Sequence, residues 1–487
     1  MNDVALGQQA IKQNNFLEAE RRFRQALVHQ PHSTEIKRDL AYALLQLNQL
    51  NESLTLLEEV VRRAPSDLLA RLLFGRLCLR LQEPLEAEKH FKRILKKLPT
   101  SESALSGLVD VAIALNKMEE AQALTKRILA INPRSEVGHL SAANVAEMQT
   151  EFDLAQEHYD QLVQFAPRNA QHRYHRARSL LRRGELAEGW QEFEYRLVSG
   201  AVQLPLIQTP RWTGAKVDHL FLISEQGLGD VIQFSRFILQ AKLLTNHITL
   251  ACQPTLSELL KRSFDVETVS LNPSSWPHHD AHCAMMSLPY VMGLGASSVS
   301  FSGRYLKPDC DRLNLWATRL ILDPQKLNVG VVYASSVAHT TEQYQHRKRS
   351  CSLEDLGVLE GLENTVFYNL QLGLAKQSSD VTAWSKPLQW HDFTSDIKDF
   401  DDTAAIIDLL DILVCVDTAA IHVAGALEKQ AALLLPFSSD WRWMQHGVLT
   451  DWYKSARLFR QTFPGVWTEP MLQIKEYLVS RANLIKS

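Results

Sequence analysis

Three short stretches in the second half of the chain hold residues whose types and spacing suit the binding of a charged ligand. In SEQGLGDVIQFSRF (224–237), Gly227 and Gly229 let the backbone turn sharply and come close to a ligand. Asp230 falls at the start of the helix that follows, and its plainer reading is a helix cap. In DILVCVDTAAIHVAGALEKQ (411–430), an apolar run ends at Asp417, Thr418 begins a helix and His422 sits one turn in. Free N–H groups and the dipole at such a helix start favour a phosphate. The plainer reading of His422 is a core histidine bonded to a neighbouring backbone group. In QHRKRSCSLEDL (345–356), Arg347, Lys348 and Arg349 gather positive charge beside a helix start at Ser352. Such runs are usually solvated loops; at a cleft they neutralise a diphosphate.

The elements that must position these residues are strands alternating with helices. HLFLIS (219–224), HITLAC and VETVSL form one set of short apolar runs. NVGVVY (328–333), TVFYNL (365–370), DILVCVD (411–417) and AALLLP (431–436) form a second. Buried strands separated by amphipathic stretches predict parallel α/β sheets. The break around 310–327 predicts two Rossmann-like domains facing a cleft, with ligands beyond the carboxyl ends of the strands.

The first 200 residues follow another rule. Proline returns every 34 residues, at Pro31, Pro65, Pro99, Pro133 and Pro167. Small residues keep the same beat at Ala19, Ser53, Ala87, Ala121, Ala155 and Gly189. A bulky apolar residue follows four positions later at Phe23, Leu57, Phe91, Tyr159 and Phe193, with Thr125 as the exception. Gly7, Ala41, Gly75, Ala143 and Ala177 mark a matching close approach on a preceding helix, where Val109 breaks the rule. This predicts pairs of antiparallel helices, the second starting just before the small residue and stopped by the proline. His172, Arg173, His175, Arg176, Arg178, Arg182 and Arg183 make the last pair basic, which reads as solvated surface or as a contact for an anionic partner.

Composition sets bounds. With 45% hydrophobic and 22% charged residues and a formal net charge of −3, no bulk pull toward nucleic acid or membrane is expected. No stretch approaches the roughly 18 apolar residues of a membrane span, and MNDVALGQQAIKQNN does not read as a secretory signal. Cysteines at 78, 252, 283, 310, 351 and 415 form no CxxC pair, which favours reduced thiols and a cytoplasmic location. HHDAHC (278–283) looks like a metal cluster, but His278, His279, His282 and Cys283 have no established ligand spacing, so no metal is expected.

Over residues 1–200 the 34-residue period resembles the tetratricopeptide repeat family, which implies a surface for a protein or peptide partner. From 205 to 470 the three stretches, together with RWTG (211–214), SLP (287–289), YLKPD (305–309), SSDWRWM and DWYKSARLFRQ, resemble the heptosyltransferase-like (family 9) glycosyltransferases. That resemblance implies a GT-B fold: an acceptor-side Rossmann-like domain over 205–325 and a nucleotide-sugar-binding one over 326–487. It implies that Asp230 is the general base, taking a proton from an acceptor hydroxyl as it attacks the anomeric carbon. It implies that Asp417, Thr418 and His422 cradle the donor, with Lys348 or Arg349 steadying the leaving diphosphate. Gln226, Gly227, Gly229, Asp440 and Arg442 are further cleft candidates, and Asp280 is a structural aspartate. The expected activity is inverting, without a metal or other cofactor, the nucleotide-diphosphate sugar being a co-substrate.

The chain departs from the family on the donor side. Tyr333, Ala334 and Ser335 stand where tryptophan, a small residue and glycine are usual, and Glu428, Lys429 and Gln430 replace glycine, lysine and proline. These departures motivate an alternative: a catalytically inactive scaffold that acts through its repeats. The sugar, nucleotide base and acceptor are not legible.

Overall fold

The computed structural model describes residues 3–295, 303–335, 349–373 and 390–485. They form two compact units, 3–165 and 166–485.

In the first unit ten helices, counted among the described residues, form five antiparallel pairs. They are Asp3–Lys12 with Phe16–His29, Thr34–Gln46 with Leu50–Arg63, Leu68–Arg80 with Pro84–Lys97, Glu102–Ala114 with Met118–Ile131, and Glu136–Met148 with Phe152–Phe165. Each second helix starts three residues before its small residue, and each proline stands two residues beyond its end. The glycines of the first helices are needed because helices touch there. A Cβ on Gly7 would lie 2.6 Å from Phe23, and one on Gly75 would lie 2.6 Å from Phe91.

Two further periodic signals position the chain. Ser33, Asp67, Ser101 and Ser135 each cap a first helix, their side-chain oxygens accepting a backbone N–H of the first turn. Between the helices of each pair, Asn14, Asn48, Gln82, Asn116 and Thr150 adopt left-handed backbone with φ of 55°, 62°, 63°, 56° and 61°. Asparagine tolerates that conformation better than most residues, whereas the β-branched Thr150 holds it under strain.

The two exceptions to the size rule explain each other. First- and second-helix contact positions lie 16 residues apart: Gly7 with Phe23, Gly75 with Phe91, Ala41 with Leu57, Ala143 with Tyr159. In the fourth pair a larger Val109 sits at the position matching a smaller Thr125, and both are buried. Thr125 turns its hydroxyl to the carbonyl of Gln122 at 2.9 Å. Thr125→Phe should therefore overpack the pair and destabilise it by about 1–3 kcal/mol, and Val109→Gly added to it should restore most of the loss. Urea unfolding of the full chain, followed by far-ultraviolet circular dichroism, measures the cycle; an additive double variant would mean the two positions do not share one space.

The second unit opens with the helices Ala170–Arg182 and Leu186–Phe193 and a 3-10 turn, Glu194–Leu197. Strands β1 Val217–Ile223, β2 Thr245–Ala251, β3 Glu267–Val269 and β4 Ala281–Ala284 form a parallel sheet in the order β3-β2-β1-β4. Strands β5 Leu327–Val332, β6 Thr365–Asn369, β7 Trp390–Asp392, β8 Ile412–Val416, β9 Gln430–Leu435 and β10 Ala456–Arg460 form a second parallel sheet, ordered β10-β9-β8-β5-β6-β7. Every residue of β5, β6 and β8 is buried, as expected of parallel strands covered on both faces. Asp280 accepts the His219 N–H at 2.8 Å and so ties β4 to β1.

One continuous apolar cluster joins the two sheets to the 170–193 helix pair, through Trp190, Phe193, Phe234, Trp441 and Trp452. The segment before β5 packs against the second sheet's helices: Trp316 on the helix Cys310–Arg319 donates to Asp402 at 2.9 Å, and the Tyr305 N–H donates to the Ala426 carbonyl at 3.0 Å.

Candidate functional site

The helix Leu228–Ser235 follows β1, and the helix Ala419–Ala426 follows β8. They pack against each other, so the starts of two helices from two parallel sheets meet. Their approach depends on Gly229. A Cβ there would lie 2.8 Å from Cδ2 of His422 and 3.4 Å from the Ala419 backbone. The glycine therefore serves helix–helix contact.

Asp230 is the third residue of its helix and not its cap residue. Its Oδ2 accepts the Gly227 N–H at 2.8 Å, and its Oδ1 pairs with Nη2 of Arg442. Gln226, exposed in the preceding turn, takes left-handed backbone with φ 62°. Arg442 is a hub: Nη1 donates to Asp440 at 2.7 Å, Nε donates to Gln233 at 2.8 Å, and the guanidinium lies 4.4 Å over the Trp441 ring. The side chains of Arg442 and Asp230 keep only 10% and 17% of their exposure.

Burial raises the pKa of Asp230, with Arg442 and the Gly227 N–H opposing the rise. Burial also disfavours the charge on Arg442, but Asp230 and Asp440 outweigh it and hold the guanidinium protonated. Asp440 goes the other way: despite its burial, Arg442 and Arg178 draw it down to about 2. Asp417 is pushed up to about 6, first by burial and then by Asp440, with Arg349 and the Trp443 indole working against the shift. The site thus holds three carboxylates of unequal acidity around Arg442, with Arg349 in electrostatic reach of one.

Thr418 precedes the 419–426 helix without a side-chain cap bond, and its buried Oγ1 has no hydrogen-bond partner among the described residues. His422 is buried; its Nδ1 lies 3.0 Å from the Tyr453 hydroxyl, and its ring stacks 5.6 Å from Trp443. Burial, then Arg442 and Arg236, push its pKa well below the ordinary range, so it is neutral. Its partner is a tyrosine hydroxyl where the sequence suggested a backbone group. Lys348 lies outside the described residues, as does Arg347. Ser352 caps the helix Leu353–Leu356, accepting the Asp355 N–H at 3.1 Å. Within HHDAHC, His278 is exposed, His279 stacks on Phe221 at 4.5 Å, and His282 Nδ1 lies 3.2 Å from the Thr209 hydroxyl.

Residues 10–77 and 79–143 match one family model described as tetratricopeptide repeat, and residues 140–201 match another of the same description. The N-terminal helices are tetratricopeptide repeats. The chain is 24% identical to Protein FlbA of Caulobacter vibrioides over 502 residues, spanning 96% of this chain and 76% of FlbA. Among solved structures it is similar to a tetratricopeptide repeat protein from Parabacteroides merdae, at 18% identity and a TM-score of 0.32, over 40% of this chain and 78% of that one. It is also similar to a thermophilic TPR protein of Thermus thermophilus, at 22% identity and a TM-score of 0.33, over 35% of this chain and 92% of that one.

The last repeat pair reaches the site directly. Trp190 packs edge-on against Trp441 at 5.7 Å and against Phe234 at 5.8 Å, and Arg182 donates to the Ser439 carbonyl at 3.2 Å. The basic run that suggested an anionic partner is largely committed internally. Arg173 forks onto Glu192 at 2.9 and 2.7 Å, Arg176 reaches Glu188 at 2.5 Å, and Arg178 acts on Asp440. Sequence reasoning missed Gln233, Tyr453 and the Arg196–Glu225 pair. Glu225 lies within the stretch 224–237 already singled out, but its burial and its pairing with Arg196, 29 residues away, emerge only from the fold.

Proposed function

We propose that the chain is a glycosyltransferase of the GT-B kind, moving a sugar from a nucleotide-diphosphate donor to a hydroxyl acceptor, with the repeats binding the acceptor protein or a partner. The observation that carries this reading is the meeting of two helix starts from two parallel sheets, one bringing Asp230 and the other Asp417 and Thr418. The diphosphate would lie at the start of the 419–426 helix, where unsatisfied N–H groups favour it. Asp230 would accept the acceptor's proton as its oxygen bonds to the anomeric carbon. The bond from that carbon to the diphosphate oxygen breaks, the oxygen keeps the electron pair, and the sugar inverts. Helix N–H groups and Arg349 would steady the departing charge. The resemblance of residues 205–470 implies that this proceeds without a metal, and the cysteine usage favours the cytoplasm as its place.

Calorimetry of the full chain against ADP, GDP, UDP and their common sugar conjugates, with and without EDTA, tests the reading. Saturable binding of one nucleotide, unchanged by EDTA, is expected. A well-folded protein that binds none of them would turn the assignment to the scaffold.

Asp417 gives this binding a pH dependence. Its raised pKa means it is largely ionised at pH 7.5 and substantially neutral at 5.5. The diphosphate of a sugar nucleotide does not itself titrate in that range. Affinity for the sugar nucleotide should therefore rise several-fold as pH falls from about 7.5 to 5.5. Asp417→Asn should flatten the profile; a slope that survives the substitution would assign the proton elsewhere.

A further inference from the structure

We propose that Arg442 is shared between the candidate base and the donor: the guanidinium that pairs with Asp230 is the one a bound diphosphate takes over, so that donor binding and release of the Asp230 carboxylate are one event. The inference rests on the functional reading above and adds a competition to it.

Oδ1 of Asp230 receives Arg442, and Oδ2 receives the Gly227 N–H at 2.8 Å. A carboxylate paired with a cation is a weaker proton acceptor than the same carboxylate released from it. Each oxygen keeps a second lone pair for an acceptor hydroxyl, and Asp230 becomes the stronger base when one of those donors leaves. The Gly227 N–H belongs to the turn that starts the helix and cannot leave without unwinding it. Arg442 can.

Its other anchors make the exchange local. Asp440 at 2.7 Å, Gln233 at 2.8 Å and the Trp441 ring at 4.4 Å keep the guanidinium in place when Nη2 changes partner. Trp441 is in turn held by Trp190 and Trp452, at 5.7 and 6.2 Å. Arg442 is also in electrostatic reach of Asp417, which precedes the start of the 419–426 helix. A diphosphate at that helix start is therefore a neighbour of the same guanidinium. It presents the fork geometry that a guanidinium recognises and carries more charge than one carboxylate.

The test is a double-mutant cycle on binding, read by calorimetry of the full chain with ADP, GDP and UDP. The variants are Asp230→Asn, Arg442→Gln and the pair together. Arg442→Gln is expected to weaken the nucleotide that wild type binds by about tenfold or more. Asp230→Asn is expected to tighten it several-fold, because the guanidinium is then held less firmly. Removing a negative charge would also tighten binding, and the double variant separates the two causes. With Arg442 absent, Asp230→Asn should change affinity by less than about twofold. The same factor in both backgrounds, or binding indifferent to Arg442→Gln, overturns the competition while leaving the transferase reading standing. No binding to folded wild type overturns both. If Arg442→Gln does not fold, Arg442→Lys replaces it in the cycle: it keeps the charge but cannot span Asp230, Asp440 and Gln233 together.

Discussion

Arg196→Met is expected to destabilise the second unit by about 3–5 kcal/mol. Arg196 is fully buried and forks onto a fully buried Glu225, Nε to Oε2 at 3.0 Å and Nη2 to Oε1 at 2.6 Å. It also donates to the Ser287 hydroxyl at 2.8 Å, to Glu194 at 2.9 Å and to the Phe193 carbonyl at 3.1 Å. Methionine fills much of the same space but leaves the Glu225 carboxylate in a low-dielectric interior with the Met286 N–H, at 3.1 Å, as its remaining hydrogen-bond donor in this group. Breaking such a pair from one side costs far more than removing both charges. Arg196→Met with Glu225→Leu should therefore be more stable than Arg196→Met alone. Urea unfolding followed by tryptophan fluorescence measures this unit specifically, because all ten tryptophans lie beyond residue 166. A loss under about 1 kcal/mol in the single variant would mean that water reaches the carboxylate. The pair also bears on the site, since Glu225 lies in the same turn as Gly227 and contributes to the field at Asp230.

The repeats were legible because each contact recurs at a fixed spacing, so the pairing of Gly75 with Phe91 is written once per period. The same regularity explains why Val109 and Thr125 looked like two separate faults: their compensation lies across a helix pair and is visible only when both are placed. The buried strands β5, β6 and β8 were legible as apolar runs. Strand β10 was not, because Arg457 and Arg460 interrupt it; Arg457 is exposed, while Arg460 bends back to the Ser439 hydroxyl at 3.0 Å. Charge was the least legible quantity. Arg173 and Arg176 read as a basic surface because their partners Glu192 and Glu188 lie a helix away. The pairing of Asp230 with Arg442 spans 212 residues and both sheets. The individual residues were candidates, but only the topology makes them partners, and local sequence patterns carry no information on that scale.

Asp230→Asn is expected to lower turnover by about 10²–10⁴ while the protein still folds and still binds nucleotide. Asparagine keeps the size of the side chain and one carbonyl oxygen, so either Arg442 or the Gly227 N–H can remain satisfied. The amide nitrogen then faces a second donor. The cost is the loss of one of those two bonds and of one charge opposite the buried Arg442, which keeps Asp440 as its partner; together about 1–3 kcal/mol, which a thermal unfolding curve will show as a lowered midpoint. What cannot be replaced is the proton acceptor: an amide oxygen does not take a proton at neutral pH, whatever Arg442 does. The measurement is nucleoside diphosphate released per unit time from the sugar nucleotide that calorimetry identifies, in the presence of excess acceptor. Unchanged release by Asp230→Asn would remove Asp230 as the base and leave it as the element that positions Arg442. Loss of release together with retained or tighter nucleotide binding would separate the two roles of this carboxylate, because a residue needed only to hold Arg442 should change donor affinity without abolishing the chemical step.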